Sequence, residues 1–304
     1  MSTAFVTTSY APDFDRFARL HDSVVQYSDL MHYAFVPRAD VDLFAPLTRS
    51  GRLRLTSTRE VLSSTIVTTE WLNRTVARLP GLPSAVQIAA VNVRRPWPPM
   101  RGWILQQLVK LAAAEHVDAD TLVFVDSETQ LIRPVTETTF RRGGCTRLFR
   151  LPEGVHEGMA RHRAWHRRAH RLLALDPFDD PPYDDFIGGI TSWDTTLVRD
   201  CTDRVAQVAG RPWQTVIGRC LDISEYTLYG EYVMNLASPA QRAFQSDRPL
   251  CHVYWQREPL NRRSAREFVD SLADDDIAIH VQSNAHTPPE IERYVHDAVR
   301  EATR

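Results

Sequence analysis

Apolar residues in the first half of the chain follow two patterns that alternate along the sequence. Short apolar runs predict β-strands, because they are rich in residues that favour an extended backbone and are bounded by turn-forming residues. These runs span 4–8, 31–36 and 53–57. Apolar residues three or four positions apart between Phe14 and Val25 predict a helix, and 38–49 is predicted to be helical as well. This β-α-β-α-β order favours a parallel sheet in an α/β domain.

The second half of the chain continues the alternation after a proline-rich stretch over 80–100, which is predicted to be a loop. Further strands are predicted at 121–125, 187–193, 251–255 and 277–282. Further helices are predicted at 103–116, 195–209, 212–220, 224–236 and from Pro288 onward. Because there is no internal repeat or low-complexity tract, we expect a single domain over 1–304. Its first half, about 1–135, would bind a nucleotide, and its second half, about 136–304, the other substrate.

The composition is that of an ordinary globular protein. Of 304 residues, 43% are hydrophobic and 24% charged, and the net charge of −2 gives no indication of binding to nucleic acid or to an anionic membrane. Four scattered cysteines without a CxxC motif favour a reducing cytosol over a disulfide framework. We see no signal peptide and no apolar run of roughly 18 residues, so no transmembrane segment is predicted. A cytoplasmic protein is expected, and its oligomeric state is left open.

The clearest chemical signal is an acidic pair directly after a predicted strand. Asp126 and Glu128 follow the apolar run 122–125. Ligands of open α/β sheets bind beyond the carboxyl ends of strands, and residues i and i+2 of an extended chain face the same side. Two carboxylates on one side repel each other unless a cation lies between them, and Mg²⁺ or Mn²⁺ shared with substrate phosphates meets that need. The alternative is that Asp126 caps the following turn and Glu128 is solvated.

Lysine usage singles out one residue. Among 36 Lys and Arg residues, Lys110 is the single lysine. It lies on the predicted helix that leads into the strand before Asp126, so its charge is expected to face the acidic pair or a phosphate. A compact ammonium fits such a place differently from a planar guanidinium. The alternative is an ordinary surface lysine.

The motif LVFVDSETQLIRP (122–134) resembles the nucleotide-sugar-binding site of glycosyltransferases with the GT-A fold. The segments WILQQLVKL (103–111), FIGGITSWD (186–194) and SEYTLYGEYV (224–233) resemble a set from a poorly characterised bacterial family of GT-A-like glycosyltransferases, and the resemblance covers roughly 4–284. It implies a GT-A-like, Rossmann-type mixed sheet flanked by helices. It also implies metal-dependent, hexosyltransferase-type transfer from a nucleoside-diphosphate sugar, with UDP as the expected nucleotide. The acceptor would be a hydroxyl group on a small molecule or a cell-surface glycan.

The resemblance implies roles for individual residues on the donor side. Thr7, Thr8 and Tyr10, after the first strand, would contact the nucleobase. Lys110 and Ser127 would lie near the donor phosphates, Gly188 and Gly189 near the donor sugar, and His280 would be a third metal ligand beside Asp126 and Glu128. The more familiar motif ends in Asp where this chain has Glu128, which leaves the metal preference open. For His280 the alternative is a strand histidine that is hydrogen-bonded at the surface.

An inverting transfer also requires a base for the acceptor hydroxyl. Glu225, in the first turn of a predicted helix, is the first candidate and Asp185 the second. The alternative for Glu225 is an acid that only steadies the helix, and a retaining enzyme would need no such base. Tyr226, Tyr229 and Trp193 are expected to contact the acceptor, with packing as the alternative for the tyrosines.

Three histidines recur at four-residue intervals on one predicted helix: His162, His166 and His170. A basic solvated face is predicted, because no acid or thiol joins them within the motif. Zinc binding and a lid that attracts an anionic acceptor are the alternatives.

Two other function classes stay open. A sugar-nucleotidyltransferase also uses carboxylate-held Mg²⁺, but it would normally carry a Gly-, Arg- or Lys-rich phosphate loop after the first strand. The sequence TTSYAPDF (7–14) has none of these residues. A non-catalytic protein that binds nucleotide sugars or carbohydrates is the third possibility.

Overall fold

Strands and helices alternate across the residues that the computed structural model describes, which are 2–69, 88–177 and 180–303. The strands are β1 (Thr3–Thr8), β2 (Met31–Val36), β3 (Leu53–Ser57), β4 (Ile66–Thr68), β5 (Ile88–Asn92), β6 (Met100–Arg101), β7 (Thr121–Val125), β8 (Thr129–Leu131), β9 (Arg141–Arg142), β10 (Cys145–Thr146), β11 (Leu148–Phe149), β12 (Leu151–Val155), β13 (Tyr183–Asp185), β14 (Ile190–Asp194), β15 (Gln245–Ser246), β16 (Cys251–Tyr254) and β17 (Ala278–Val281). The α-helices are α1 (Phe14–Tyr27), α2 (Val41–Phe44), α3 (Thr58–Val61), α4 (Gly102–His116), α5 (Glu137–Phe140), α6 (Ala160–Leu173), α7 (Thr195–Ala209), α8 (Trp213–Ile217), α9 (Glu225–Leu236), α10 (Arg262–Asp270) and α11 (Pro289–Ala302). Short 3-10 helices span Ala11–Asp13, Arg38–Asp40, Ala45–Ser50 and Ser283–Ala285.

A five-stranded sheet in the order β14-β7-β1-β2-β3 forms the centre of the molecule. Strands β7, β1, β2 and β3 are parallel, and β14 runs antiparallel to β7. Val6 of β1 pairs with Phe124 of β7, so these two strands end side by side at one edge of the sheet. The predicted α/β class, with a mixed sheet flanked by helices, is confirmed.

Helix α4 packs on β1 and against α7, α8 and α9. Its buried residues Leu108, Leu111 and Ala112 join Val6 and Phe124 in the largest apolar cluster. Burying a leucine side chain contributes about 1.5–3 kcal/mol, so this helix is held firmly. The position of Lys110, which is on the same helix, is therefore set by core packing.

Two smaller sheets extend the centre. Strands β16, β17 and β8 form one sheet, and β8 begins immediately after the acidic residues that follow β7. Strands β4, β5 and β6 form an antiparallel sheet that leads into α4. No helix within the described residues is long and apolar enough to cross a membrane.

Most predicted elements are present, but three predictions need correction. The chain over 38–49 is not one helix: 3-10 turns flank the four-residue helix α2, because Pro46 lacks the N–H that a continuous α-helix requires. The predicted helix over 212–220 is helical only over Trp213–Ile217. In the predicted loop over 80–100, Ile88–Asn92 is a strand that pairs with β4, while 80–87 lies outside the described residues.

Candidate active site

The residues that follow β1 and β7 border a cleft of about 320 Å³ at the carboxyl edge of the central sheet. Parts of the chain far apart in sequence meet there. Eight residues predicted from the sequence line it: Thr8, Tyr10, Lys110, Asp126, Ser127, Glu128, Glu225 and Tyr226. The acidic pair lies in the turn between β7 and β8, where the chain passes from the central sheet to the next one.

Lys110 connects the polar residues of the cleft. Its Nζ lies 3.2 Å from Oδ1 of Asp126 and 3.3 Å from Oε1 of Glu225. It also donates a hydrogen bond of 2.8 Å to the hydroxyl of Tyr226. An ammonium has three protons to donate, and these three side chains surround it with oxygen atoms. Because the Lys110 side chain is only 9% exposed, its neighbours rather than water balance its charge.

These contacts shift the pKa values of the two carboxyls in opposite directions. Burial would raise the pKa of Asp126, but the charges of Lys110 and then His280 hold it below its usual value. Burial raises the pKa of Glu225, and Lys110 opposes that shift only in part. Burial would lower the pKa of Lys110, but Asp126, Tyr226 and Glu225 raise it well above its usual value. Asp126 and Lys110 are therefore an ion pair at neutral pH, and Glu225 is the carboxyl that accepts a proton more readily.

Glu128 also lines the cleft and has no ion pair among the described residues. Its negative charge acts on its neighbours: burial and then Glu128 raise the pKa of Asp13. Burial, Asp13 and Glu128 likewise raise the pKa of Tyr10. Arg16 lies 3.6 Å from Asp13, although its shorter contact, 2.7 Å, is with Glu292 of α11. The part of the cleft around Glu128, Asp13 and Tyr10 therefore carries excess negative charge.

The two carboxylates of the acidic pair fit a hard cation. Asp126 and Glu128 are half-buried and both line the cleft, where their carboxylate oxygens can serve as metal ligands. Mg²⁺ is typically held by one or two carboxylates together with substrate phosphates. His280 does not complete a protein ligand set with them. Its Nδ1 lies 3.1 Å from the hydroxyl of Thr129, and its ring packs on Trp255 at 5.3 Å. In the described part of the chain, no group of three or more His, Cys, Asp or Glu residues is placed to hold a metal ion.

The two residues predicted as bases have different surroundings. Glu225 is buried in the first turn of α9 and lines the cleft. Asp185 lies on β13, where it accepts a hydrogen bond of 3.1 Å from the N–H of Ile187. Burial raises the pKa of Asp185 as well. Ile187 borders the cleft, but Asp185 itself is not part of its lining.

Two of the predicted acceptor residues pack in the core. Trp193 and Tyr229 are buried and stacked, with ring centroids 4.9 Å apart. The hydroxyl of Tyr229 accepts a hydrogen bond of 2.8 Å from the N–H of Asp194. Packing thus accounts for both residues, whereas Tyr226 lies in the cleft under Lys110.

Three predicted donor residues lie outside the cleft lining, and two of them serve packing. The hydroxyl of Thr7 donates a hydrogen bond of 2.9 Å to the carbonyl of Val125 inside the sheet. A Cβ on Gly189 would come within 2.7 Å of Val253, so this glycine permits the close approach of β16. A Cβ on the neighbouring Gly188 would make only an ordinary contact with Phe149 at 3.5 Å, so packing does not require a glycine there. None of these three residues belongs to the cleft lining.

Several cleft residues were not singled out from the sequence. They are Asp13, Trp103, Gln106, Gln107, Trp165, Ile187, Ser224 and Ser283. On α4 a signal was available, since Trp103, Gln107 and Lys110 are spaced by four and three residues and thus share one face of an otherwise apolar helix. The others are Gln106 on α4, Asp13 and Ser283 in 3-10 helices, Trp165 on α6, and Ile187 and Ser224 in connecting segments, and nothing in their local sequence marks them as cleft residues.

The histidines of α6 are not a solvated face, so that prediction is wrong. His166 is buried, and its Nδ1 lies 2.7 Å from Oε1 of Glu231 on α9. Nε2 of His170 lies 3.0 Å from the other oxygen of Glu231. His162 packs on Trp165, with ring centroids 4.6 Å apart. The acid that pairs with the stripe comes from another helix, which the local motif could not indicate.

The fold and the cleft define an α/β protein whose polar residues gather at the carboxyl ends of parallel strands, where ligands of such sheets bind. The family model DUF6492, a family of unknown function, matches residues 1–297. The chain therefore belongs to this family. A comparison with curated proteins found no match.

Among solved structures, three of those that match are similar to this chain over nearly its whole length. An active-site mutant of LgtC has a TM-score of 0.46 and 9% identity, covering 98% of this chain and 95% of that chain. The galactosyltransferase LgtC in complex with donor and acceptor sugar analogues has a TM-score of 0.44 and 8% identity, with the same coverage of 98% and 95%. Mouse xyloside xylosyltransferase 1 in its apo form has a TM-score of 0.47 and 10% identity, covering 95% and 99%. TM-scores and identities this low support no conclusion about the function of this chain.

Proposed function

We propose that this protein is a glycosyltransferase of GT-A-like architecture. It would move a sugar from a nucleoside-diphosphate sugar, with UDP as the expected nucleotide, to a hydroxyl group on a small molecule or a cell-surface glycan. One observation supports this most: Asp126, Glu128, Lys110 and Glu225 line one cleft at the carboxyl ends of two parallel strands. Departure of a diphosphate requires positive charge, which carboxylates that hold a cation and a fixed ammonium can supply. Activation of a hydroxyl requires a base, and a carboxyl with a raised pKa can serve as one.

The acidic pair and Lys110 would receive the diphosphate. Asp126 and Glu128 would hold Mn²⁺ or Mg²⁺, which when bound supplies Lewis-acid stabilisation of the leaving group. Lys110 would place a second positive charge beside the same oxygens. Its ammonium is already fixed by three partners, so it needs little reorganisation when negative charge develops.

Thr8 and Tyr10 would contact the nucleobase, because they follow β1 at the edge of the same cleft. The ring of Tyr10 is exposed and therefore available for stacking. Thr7 is left out of this set, since its hydroxyl is already bonded to Val125.

Glu225 would be the base in an inverting transfer. Its carboxylate would accept the proton of the acceptor hydroxyl as the new glycosidic bond forms and the bond to the diphosphate breaks. The raised pKa favours this, because a base works best when its pKa approaches the working pH. Asp185 is the second candidate and would have to reach the cleft past Ile187.

Tyr226, Trp103 and Trp165 would contact the acceptor. The tryptophan rings lie 5.6 Å apart and both line the cleft. Aromatic faces of this kind bury the apolar face of a sugar ring.

A thermal-unfolding panel of nucleoside diphosphates, each with and without Mn²⁺, tests donor binding. A ligand that binds only the folded state raises the unfolding temperature. We expect a rise with one nucleoside diphosphate, larger in the presence of Mn²⁺. If no nucleoside diphosphate shifts the unfolding temperature with or without metal, the proposal is wrong.

Variants of the cleft then test the chemistry. Asp126→Asn and Glu128→Gln should each abolish the metal-dependent part of the shift and slow release of the nucleoside diphosphate by roughly 10²-fold or more. Glu115→Gln is the matched control, because Glu115 is an exposed acid on the same helix as Lys110. Release of nucleoside diphosphate from a nucleotide sugar distinguishes transfer from the alternatives: a nucleotidyltransferase would release pyrophosphate, and a binding protein would bind without turnover.

A further inference from the structure

A small basic and apolar surface lies on β4 and on the loop between β5 and β6. We propose that it docks the protein onto the surface of an anionic phospholipid bilayer. The surface, named the β4–β6 patch, consists of Val67, Val93, Arg94, Arg95 and Trp97. This inference goes beyond the proposed function and does not rest on it.

Trp97 is the main observation. Its side chain is 78% exposed, although an indole is among the largest apolar groups in a protein. Val93, in the same loop, is 61% exposed, and Val67 on β4 is exposed as well. Val67 pairs with Val91 of β5, and the N–H of Val93 bonds to Thr65 just before β4, so the two exposed valines are on adjoining parts of one small sheet. Neighbouring exposed apolar side chains mark interaction surfaces, and tryptophan in particular is enriched where protein meets the membrane interface.

The loop that carries Trp97 is held in place. Asn92 is buried, and its side-chain oxygen accepts a hydrogen bond of 3.0 Å from the N–H of Arg94. Its carbonyl accepts another, of 2.9 Å, from the N–H of Arg95. The N–H of Val93 donates to the carbonyl of Thr65 at 2.8 Å. The exposed side chains are therefore presented on an ordered turn.

The charge of this region differs from that of the whole chain. Residues 61–69 and 88–103 contain no Asp or Glu but include Arg94, Arg95 and Arg101, whereas the chain as a whole carries a net charge of −2. Neither Arg94 nor Arg95 forms an ion pair with a described residue. Arginines near an anionic lipid surface each contribute about 1 kcal/mol to binding, so an acid-free apolar patch fits such a surface.

A short stretch of chain joins the patch to the cleft. Strand β6 ends at Arg101, and Trp103 on the first turn of α4 already lines the cleft. Docking through the β4–β6 patch would therefore hold the cleft close to the bilayer surface.

Co-sedimentation of the full chain with lipid vesicles tests this. Vesicles of phosphatidylcholine with about 30% phosphatidylglycerol should bind the protein at about 0.1 M salt, and binding should weaken at about 1 M salt, where charges are screened. Pure phosphatidylcholine vesicles should bind it far less. Trp97→Ala should lower the partition coefficient roughly tenfold, and Arg94→Gln with Arg95→Gln about fivefold for each arginine.

Two controls match these changes. Arg263→Gln with Arg266→Gln removes the same charge from the exposed face of α10, and Leu43→Ala removes an exposed apolar side chain from α2, which packs on a different apolar cluster. Both should bind like the wild type, and unfolding temperatures should stay unchanged in all variants. The inference is overturned if the wild type ignores anionic vesicles, if the patch variants bind as well as the controls, or if an oligonucleotide binds through the patch while vesicles do not.

Discussion

Helix α9 carries two buried glutamates, Glu225 and Glu231, whose surroundings shift their pKa values in opposite directions. Burial raises the pKa of Glu225, and Lys110, which it shares with Asp126, opposes that shift only in part. Burial acts on Glu231 too, but hydrogen bonds from His166 and His170 outweigh it and lower its pKa. Six residues apart on a helix, the two side chains point to different faces, one toward the cleft and the other toward α6.

The number of partners explains the difference. Both oxygens of Glu231 are engaged, at 2.7 Å by His166 and at 3.0 Å by His170, and Asn235 donates a further hydrogen bond of 2.9 Å. Glu225 has one cationic neighbour at 3.3 Å. A fully satisfied buried acid fixes two helices together, whereas a partly satisfied one keeps capacity to take up a proton. We therefore expect Glu231 to contribute to stability, whereas Glu225 is the residue that we propose for the chemistry.

The largest expected effect is on catalysis. Glu225→Gln should lower kcat by about 10²- to 10⁴-fold if Glu225 is the base, because an amide cannot accept the acceptor's proton. Nucleotide-induced thermal shifts should persist, since the acidic pair is intact. The matched change Glu231→Gln should leave kcat near the wild-type value at a temperature where the variant is folded. Should Glu225→Gln transfer sugar at the wild-type rate while Asp185→Asn does not, the base is Asp185.

The next effect is on stability. Glu231→Gln should lower the free energy of unfolding by about 3 kcal/mol, because removing one partner of a buried charged cluster leaves the others without compensation. Urea unfolding followed by circular dichroism measures this. Glu225→Gln should cost much less, because a neutral side chain there no longer bears the burial penalty that raises the pKa of Glu225. Equal losses in the two variants would contradict the comparison.

A smaller effect concerns pH. Burial would lower the pKa of His170, but Nε2 faces Glu231 and Nδ1 lies 2.6 Å from the carbonyl of Asp176. Both ring nitrogens are therefore placed to donate, and the pKa of His170 is raised. The contribution of His170 to the free energy of unfolding is complete below its unfolded pKa of 6.5. It is lost as the pH rises through the higher folded pKa. Because the folded pKa of Glu231 is lowered, its contribution to the free energy of unfolding is complete above its unfolded pKa of 4.5. That contribution is lost as the pH falls through the folded pKa.

The pair is therefore most stabilising between these two pH values. His170→Gln should lower the free energy of unfolding by about 1 kcal/mol more at pH about 6 than at pH about 9, as expected for losing a charge-assisted hydrogen bond. Comparing variant and wild type at each pH cancels the other titrating groups. A loss that does not depend on pH would show that His170 acts as a neutral partner.

The local pattern of apolar and polar residues predicted most strands and helices and the position of the acidic pair after a strand. The apolar run before Asp126 ends where β7 ends, because a buried strand and its polar turn differ sharply in composition. The pairing of α6 with α9 could not be predicted. Glu231 is 65 residues from His166, and the sequence around either residue does not indicate its partner. The same holds for Gly230, where a Cβ would come within 2.2 Å of the ring of Phe186, so only glycine lets α9 approach this closely.

The predicted site residues fall into two groups: those that face the cleft, and those whose polar groups are already bonded inside the fold. Lys110 and Asp126 are placed by rigid elements and still face the cleft. Thr7 and Tyr229 have the right residue types, but their hydroxyls are bonded to the backbone inside the fold. A sequence shows which groups can bind a ligand, whereas the fold decides which of those groups are already bonded.

The smallest expected effect lies at the start of α9. The hydroxyl of Ser224 accepts a hydrogen bond of 3.4 Å from the N–H of Thr227, and both Ser224 and Glu225 line the cleft. Because this bond is long, Ser224→Ala should lower the free energy of unfolding by only about 0.5 kcal/mol, the lower end for an N-cap. If the cap also sets the position of Glu225, kcat should fall several-fold while the affinity for the nucleoside diphosphate stays constant. Ser224→Thr, which keeps a capping hydroxyl, should restore kcat, and a variant that loses stability but keeps full kcat would show that α9 holds Glu225 in place without its cap.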